Sequence, residues 1–201
     1  MKAGALGRLA CVCSLVFMAN AGPAVADDTS ACATVRGIDP RTVAFVFDID
    51  GGQMPRGPDG PLLSVSADGV ATVRAARIGE HAHRVQLTAQ AHCAHVRALL
   101  DDFDMLGVDG QAIRRAIAAA PPHRRVADAA TTSLTITWAG TRHAISIHAL
   151  RLTARQNPAI APLQRFEQAA QYLTGLAARL RAQAVAPGEA REPGRDEPPQ
   201  H

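Results

Sequence analysis

Apolar residues recur every second position in some stretches of this chain and every third or fourth in others. From Thr42 to Ile49, the residues Val43, Phe45, Phe47 and Ile49 fall on one side, and Ala44, Val46 and Asp48 on the other. Period two is the signature of a β-strand. A loop follows from Gly51 to Pro61, carrying Pro55, Gly57, Pro58 and Gly60. Leu63 and Val65 then alternate with Ser64 and Ser66, Asp68-Gly69 supplies a turn, and Val70 to Val73 returns, so a hairpin is expected up to Ala75. His83 to Leu87 reads as a further short strand.

The period then changes. Thr88 is placed to cap a helix. Val96, Leu99, Leu100 and Phe103 follow at helical spacing, predicting an amphipathic helix of about four turns that Gly107 ends. On its wheel His92 turns toward the apolar face with Cys93 beside it, while Arg97, Asp101 and Asp102 face water. Gly110 to Ala120 predicts a short second helix, stopped by Pro121-Pro122. Alternation resumes at Ser133 to Trp138, with Leu134, Ile136 and Trp138 on one side and Ser133, Thr135 and Thr137 on the other. Ala139-Gly140 turns the chain and His143 to Ala149 comes back with Ile145 and Ile147 inward. Asn157-Pro158 opens a last helix whose core stripe is Leu163, Phe166, Ala170, Leu173, Leu176, Ala177 and Leu180.

Consecutive hairpins without strand–helix–strand alternation predict an α+β fold: an antiparallel β-sheet of about five to six strands with two or three helices packed on one face. Such a sheet can leave its other face wet, which suits the row Ser133, Thr135 and Thr137. That row is also a candidate recognition face for another protein.

Composition changes the picture mainly at the ends. Lys2 and Arg8 precede an apolar run through Leu9, Val12, Leu15, Val16, Phe17 and Met18, which Gly22-Pro23 breaks before Ala24-Val25-Ala26. This is the pattern of a secretory signal peptide at residues 1–26, cleaved to expose Asp27. Residues 27–41 are expected to form an N-terminal linker, 42–185 a single α+β domain, and 186–201, rich in Pro, Gly, Glu and Arg, a disordered tail. The run is short for a membrane span and ends in helix breakers, so no span is expected after cleavage. A periplasmic or secreted location follows. Cys11 and Cys13 leave with the leader, and Cys32 and Cys93 remain to form one disulfide in an oxidising compartment.

The net charge of +3 is too small a surplus, and an aromatic content of 3% too low, for a nucleic-acid partner. Lys2 is the only lysine, so the mature chain has none for a Schiff base or a phosphate-binding loop.

The run Val43-Ala44-Phe45-Val46-Phe47-Asp48-Ile49-Asp50-Gly51 resembles the first motif of the haloacid-dehalogenase-like phosphatases. By that resemblance Asp48 is the nucleophile and magnesium ligand, Asp50 the general acid, and the sheet parallel. The likeness ends with these residues. The family continues with Thr or Val and a helix, whereas Gly52-Gln53-Met54-Pro55 and a Pro/Gly loop follow here. Its later basic residue, usually Lys, has no lysine to fill it, and Asp101-Asp102 falls on a helix face where the family has an acidic pair after a strand. Read as the start of a calcium loop, Asp48 and Asp50 fit, but Gly52 and Gln53 do not continue the pattern and no Glu closes it.

His81 and His83 are two apart on an extended segment, and His92 and His95 three apart on a helix, spacings at which imidazoles bind zinc or copper. These four form the alternative metal set; Cys93, between the latter two, is assigned to the disulfide. Ser64, Ser66 and Ser133 assemble no nucleophile–base–acid order.

The order of elements also resembles a loose group of small exported bacterial domains of no settled activity, through Leu63–Val73, Leu87–Gly107 and Thr132–Leu150. Its broad architecture is similar to that of secreted enzyme-inhibitor domains. The resemblance implies a non-enzymatic binding or interaction domain of the cell envelope, with no cofactor and with another envelope protein as partner. The phosphatase reading on Asp48 and Asp50 ranks second, and histidine-based metal binding third.

Overall fold

A computed structural model describes residues 32–51, 60–77, 80–121 and 127–185. The expected leader, the first part of the linker, most of the Pro/Gly loop and the tail lie outside the described residues. A six-stranded antiparallel sheet runs in the order β4-β3-β2-β1-β5-β6, built from β1 (Ala44–Gly51), β2 (Leu63–Val65), β3 (Val70–Val73), β4 (His83–Gln86), β5 (Ala130–Trp138) and β6 (Thr141–His148). Four α-helices accompany it: α1 (Ala89–Arg97), α2 (Gly110–Ala119), α3 (Leu150–Gln156) and α4 (Ala161–Val185). The expected fold class holds, with one helix more than foreseen. That helix is α3, seven residues long, which follows Ala149 in a left-handed conformation and has no side-chain cap.

Register turns the alternation of the sequence into two faces. Phe45 pairs with Val65 and Ile136, and Phe47 with Leu63 and Leu134. All six are closed off from solvent and join the core with Leu99, Leu100, Leu163, Phe166 and Leu173 from the helical layer. Full burial of one such side chain contributes roughly 1.5–3 kcal/mol. α4 packs on β3 and β4, α2 on β6, and α3 on β5 and α4. The opposite face carries Ser64, Thr72, Val46, Thr135 and Ala144, and Val46 at its centre is 41% exposed.

Local chemistry sets the boundaries. The first strand starts two residues later than the apolar pattern suggests, because Asp39 accepts a hydrogen bond from the Arg41 amide at 3.0 Å and Pro40–Thr42 forms a 3-10 turn. Thr88 caps α1 by accepting from the Ala91 amide at 3.1 Å. α1 then widens into a π-type turn over Ala98–Asp102 that keeps Leu99 and Leu100 inward. Asp104 follows at φ 50°, its carboxylate 2.5 Å from Arg36 and 2.6 Å from Arg165. A Cβ at Gly107 would sit 2.5 Å from that carboxylate, so any larger residue here must displace Asp104 from its two guanidinium partners. Asp109 caps α2, and the Gln111 and Ala112 amides hold its carboxyl below the usual range. Cys32 and Cys93 are joined as a disulfide with Cα atoms 5.0 Å apart, tying the N-terminal segment to α1.

Candidate functional site

Asp48 stands on a strand with antiparallel neighbours on both sides, where the phosphatase resemblance implies parallel ones. One oxygen of its carboxylate accepts from the Ile49 amide at 2.9 Å, the Leu62 amide at 3.1 Å and the Arg74 guanidinium at 2.6 Å. Arg74 also bonds the Gly60 carbonyl from two of its nitrogens, so the group closes the base of the Pro/Gly loop against β3. A carboxylate held this way is anchored by charge-assisted bonds. Asp50 sits two residues on, opposite Thr131.

The four histidines go to different tasks. His92 is buried and donates from Nε2 to the Val43 carbonyl at 3.0 Å, fastening α1 to the start of β1. His95 is half-buried, with Nδ1 2.6 Å from the Tyr172 hydroxyl, and Phe103 packs on the same tyrosine. Burial, and then the charge of Arg179, hold the His95 imidazole below its ordinary pKa; burial first pushes the Tyr172 phenol up. The neutral ring therefore accepts a hydrogen bond from the Tyr172 hydroxyl. His81 and His83 line a separate hollow with Glu80 and Arg181. Among the described residues no three His, Cys, Asp or Glu side chains meet in a way that could hold a metal ion, and Cys93 belongs to the disulfide.

A site that the sequence pattern does not announce lies where α3 and α4 cross the ends of β1 and β5. It is an open cleft of about 470 Å³, within the roughly 300–1,000 Å³ typical of small-molecule sites. Ile49, Leu150 and Ala170 give it an apolar wall. Glu167, Ala170, Gln171 and Thr174 reach it from one face of α4, being spaced i, i+3, i+4 and i+7. The Gln171 amide donates to Glu167, and the Thr174 hydroxyl to the Ala170 carbonyl at 2.8 Å. Arg151, at the exposed start of α3, makes no ion pair or hydrogen bond through its side chain among the described residues.

Thr132 is the unusual member. It lies on the inner face of β5 in line with Leu134 and Ile136, between Ile49 and Ile147 on the neighbouring strands. The residue is 7% exposed, lines the cleft, and its hydroxyl has no hydrogen-bond partner among the described residues. The hydroxyl oxygen is not one of the fully buried polar atoms left without a partner, so solvent reaches it in the cleft. The alternating pattern starts this strand at Ser133, one residue after Thr132, whereas β5 begins at Ala130. A polar residue extending an apolar alternation, with a polar i, i+3, i+4, i+7 stripe on α4, was the signal available.

Comparison with protein-family models, with curated proteins and with solved structures finds no match to this chain. No helix among the described residues is long and apolar enough to cross a membrane.

Proposed function

We propose that this chain is an exported, non-enzymatic binding domain of the bacterial cell envelope that takes a small ligand in the cleft between α3, α4 and the sheet. The observation that carries the reading is Thr132, a polar residue on the otherwise apolar inner face of β5 that lines the cleft and whose hydroxyl has no protein hydrogen-bond partner among the described residues. A ligand in the cleft can hydrogen-bond it in place of water. Export is supported by the leader pattern ahead of Asp27 and by the Cys32–Cys93 disulfide, a bond that persists mainly in oxidising compartments. A binding role over phosphatase chemistry is supported by Asp48, whose carboxylate is already engaged by Arg74 and two backbone amides.

The test uses protein recovered from the envelope. Its mass should correspond to a chain beginning at Asp27 with no free thiol. Thermal-shift screening of small metabolites should find stabilising compounds, and Thr174→Trp, placed at the exposed mouth, should abolish their effect without lowering the melting temperature of the free protein. A mass retaining Met1, or hits that survive the plugged cleft, would count against the reading. Magnesium-dependent turnover of a phosphate ester, lost in Asp48→Asn, would favour the phosphatase instead.

A second reading places another envelope protein on the outer sheet face, where Val46 stands 41% exposed at the centre of a row of small side chains. A photoreactive side chain at Val46 should then crosslink one recurrent envelope protein in cells, and one at Asp101 should not.

A further inference from the structure

We infer that the ligand of the cleft is a small zwitterion with an apolar body, of the class of an apolar amino acid or its dipeptide; this deepens, and rests on, the binding reading above. The cleft carries one charge of each sign, Arg151 from α3 and Glu167 from α4, and the two do not pair with each other. A ligand bearing only a carboxylate meets the Glu167 carboxylate as well as Arg151. One bearing only an amine meets Arg151 as well as Glu167. Like-charge juxtaposition selects against both, and only a ligand with both charges satisfies both side chains. The guanidinium of Arg151 suits a carboxylate, which it can hold through two parallel N–H bonds. Glu167 accepts from Gln171 and has lone pairs left for an ammonium group.

The remaining surface defines the rest of the ligand. Ile49, Leu150 and Ala170 offer an apolar wall, and the volume of about 470 Å³ admits one or two small residues. Thr132 can donate to a carboxylate or accept from an ammonium group, so its hydroxyl serves either end.

Calorimetric titration of the disulfide-intact protein tests this, with L-leucine and L-leucyl-L-leucine as probes and leucinamide and N-acetylleucine as controls lacking one charge each. At least one zwitterion should bind saturably, and each control about tenfold or more weaker, as expected for loss of one charge-assisted contact. Arg151→Gln should erase the preference over leucinamide, and Glu167→Gln the preference over N-acetylleucine. Thr132→Val, which keeps the shape of the side chain, should weaken binding of the zwitterions several-fold and leave their preference over both controls in place, a pattern that a purely structural role would not produce.

Binding of leucinamide or N-acetylleucine as tight as that of the zwitterions overturns the inference. So does the absence of heat with both zwitterions at millimolar concentration. If in that case another compound binds and is displaced by Thr174→Trp, the binding reading stands without this ligand class. If no compound binds at millimolar concentration, both fall.

Discussion

On the inner face of the sheet Phe45, Phe47, Leu63 and Leu134 are closed off from water, while on the outer face Val46 stands open between Ser64 and Thr135. These surfaces share one backbone and one set of ladder hydrogen bonds. They differ in what lies above them, the helical layer on one side and small polar side chains on the other. The difference teaches where sequence change is costly and where it is free. The exceptions on each face are informative. Asp48 is an outer-face residue held as firmly as a core one, and Thr132 is an inner-face residue with a polar group left over.

The comparison breaks most visibly at Phe47. Phe47→Ala opens a cavity between β1 and the helices and should cost about 3–5 kcal/mol, read from denaturant unfolding. A value below about 1 kcal/mol would mean that the inner face is not the tightly packed one. Next comes the disulfide, which fastens α1 over the inner face. It spans 61 residues in sequence, and the chain-entropy contribution for that loop is about 4 kcal/mol, with native strain lowering it. Cys93→Ala should therefore melt well below the oxidised wild type, and an unchanged melting temperature would show that the crosslink does not hold the fold.

Asp48→Ala tests whether the outer face has one residue of core-like weight. It removes the acceptor for Arg74 and the Leu62 amide, both partly buried, and should cost about 1–3 kcal/mol. Equality with a simple surface substitution would place Asp48 with its exposed neighbours.

The pH response sharpens the inner side further. Burial first, then Arg179 and His92, lower the His95 pKa from the ordinary 6.5. Below pH 6.5 the unfolded chain therefore takes up the proton before the folded one does. Stability from this group is whole above that pH and falls as pH drops below it. His95→Gln should lose less stability on acidification than the wild type, and parallel pH profiles of the two would contradict this. The smallest effect is expected at Val46→Thr, within about ±0.5 kcal/mol, because the site is open and β-branched shape is kept.

The hairpins were legible because alternation, Asp68-Gly69 and Ala139-Gly140 all point the same way. Strands β2 through β6 fall where expected, the last hairpin extending a few residues further at its start. Helix α1 was legible from Thr88 and its apolar stripe, and the disulfide from the pairing of the two mature cysteines. What the pattern hid is short or non-local. The seven residues of α3 are too few to show a period, and Ala149 in a left-handed conformation gives no capping signal. Asp104 draws together Arg36 and Arg165, which lie far from it in sequence on either side. The cleft is hidden for the same reason, since its wall comes from β1, β5, α3 and α4. Local spacing shows which face a residue takes, but not which distant face it meets.

The position of β1 has a consequence for the chain before it is complete. Its ladder with β5 runs over eight residue pairs, yet β5 begins only at Ala130, after β2 to β4, α1 and α2. Until that partner arrives, one edge of β1 presents unpaired amides and carbonyls beside the apolar run Val43-Ala44-Phe45-Val46-Phe47, a template on which a second nascent chain could add a strand. Asp48 and Asp50 end that run with negative charge, as gatekeepers do beside an unavoidable hydrophobic strand. In the half-made protein the acidic pair that resembles catalytic machinery sets like charges against each other wherever two copies of this strand meet in register.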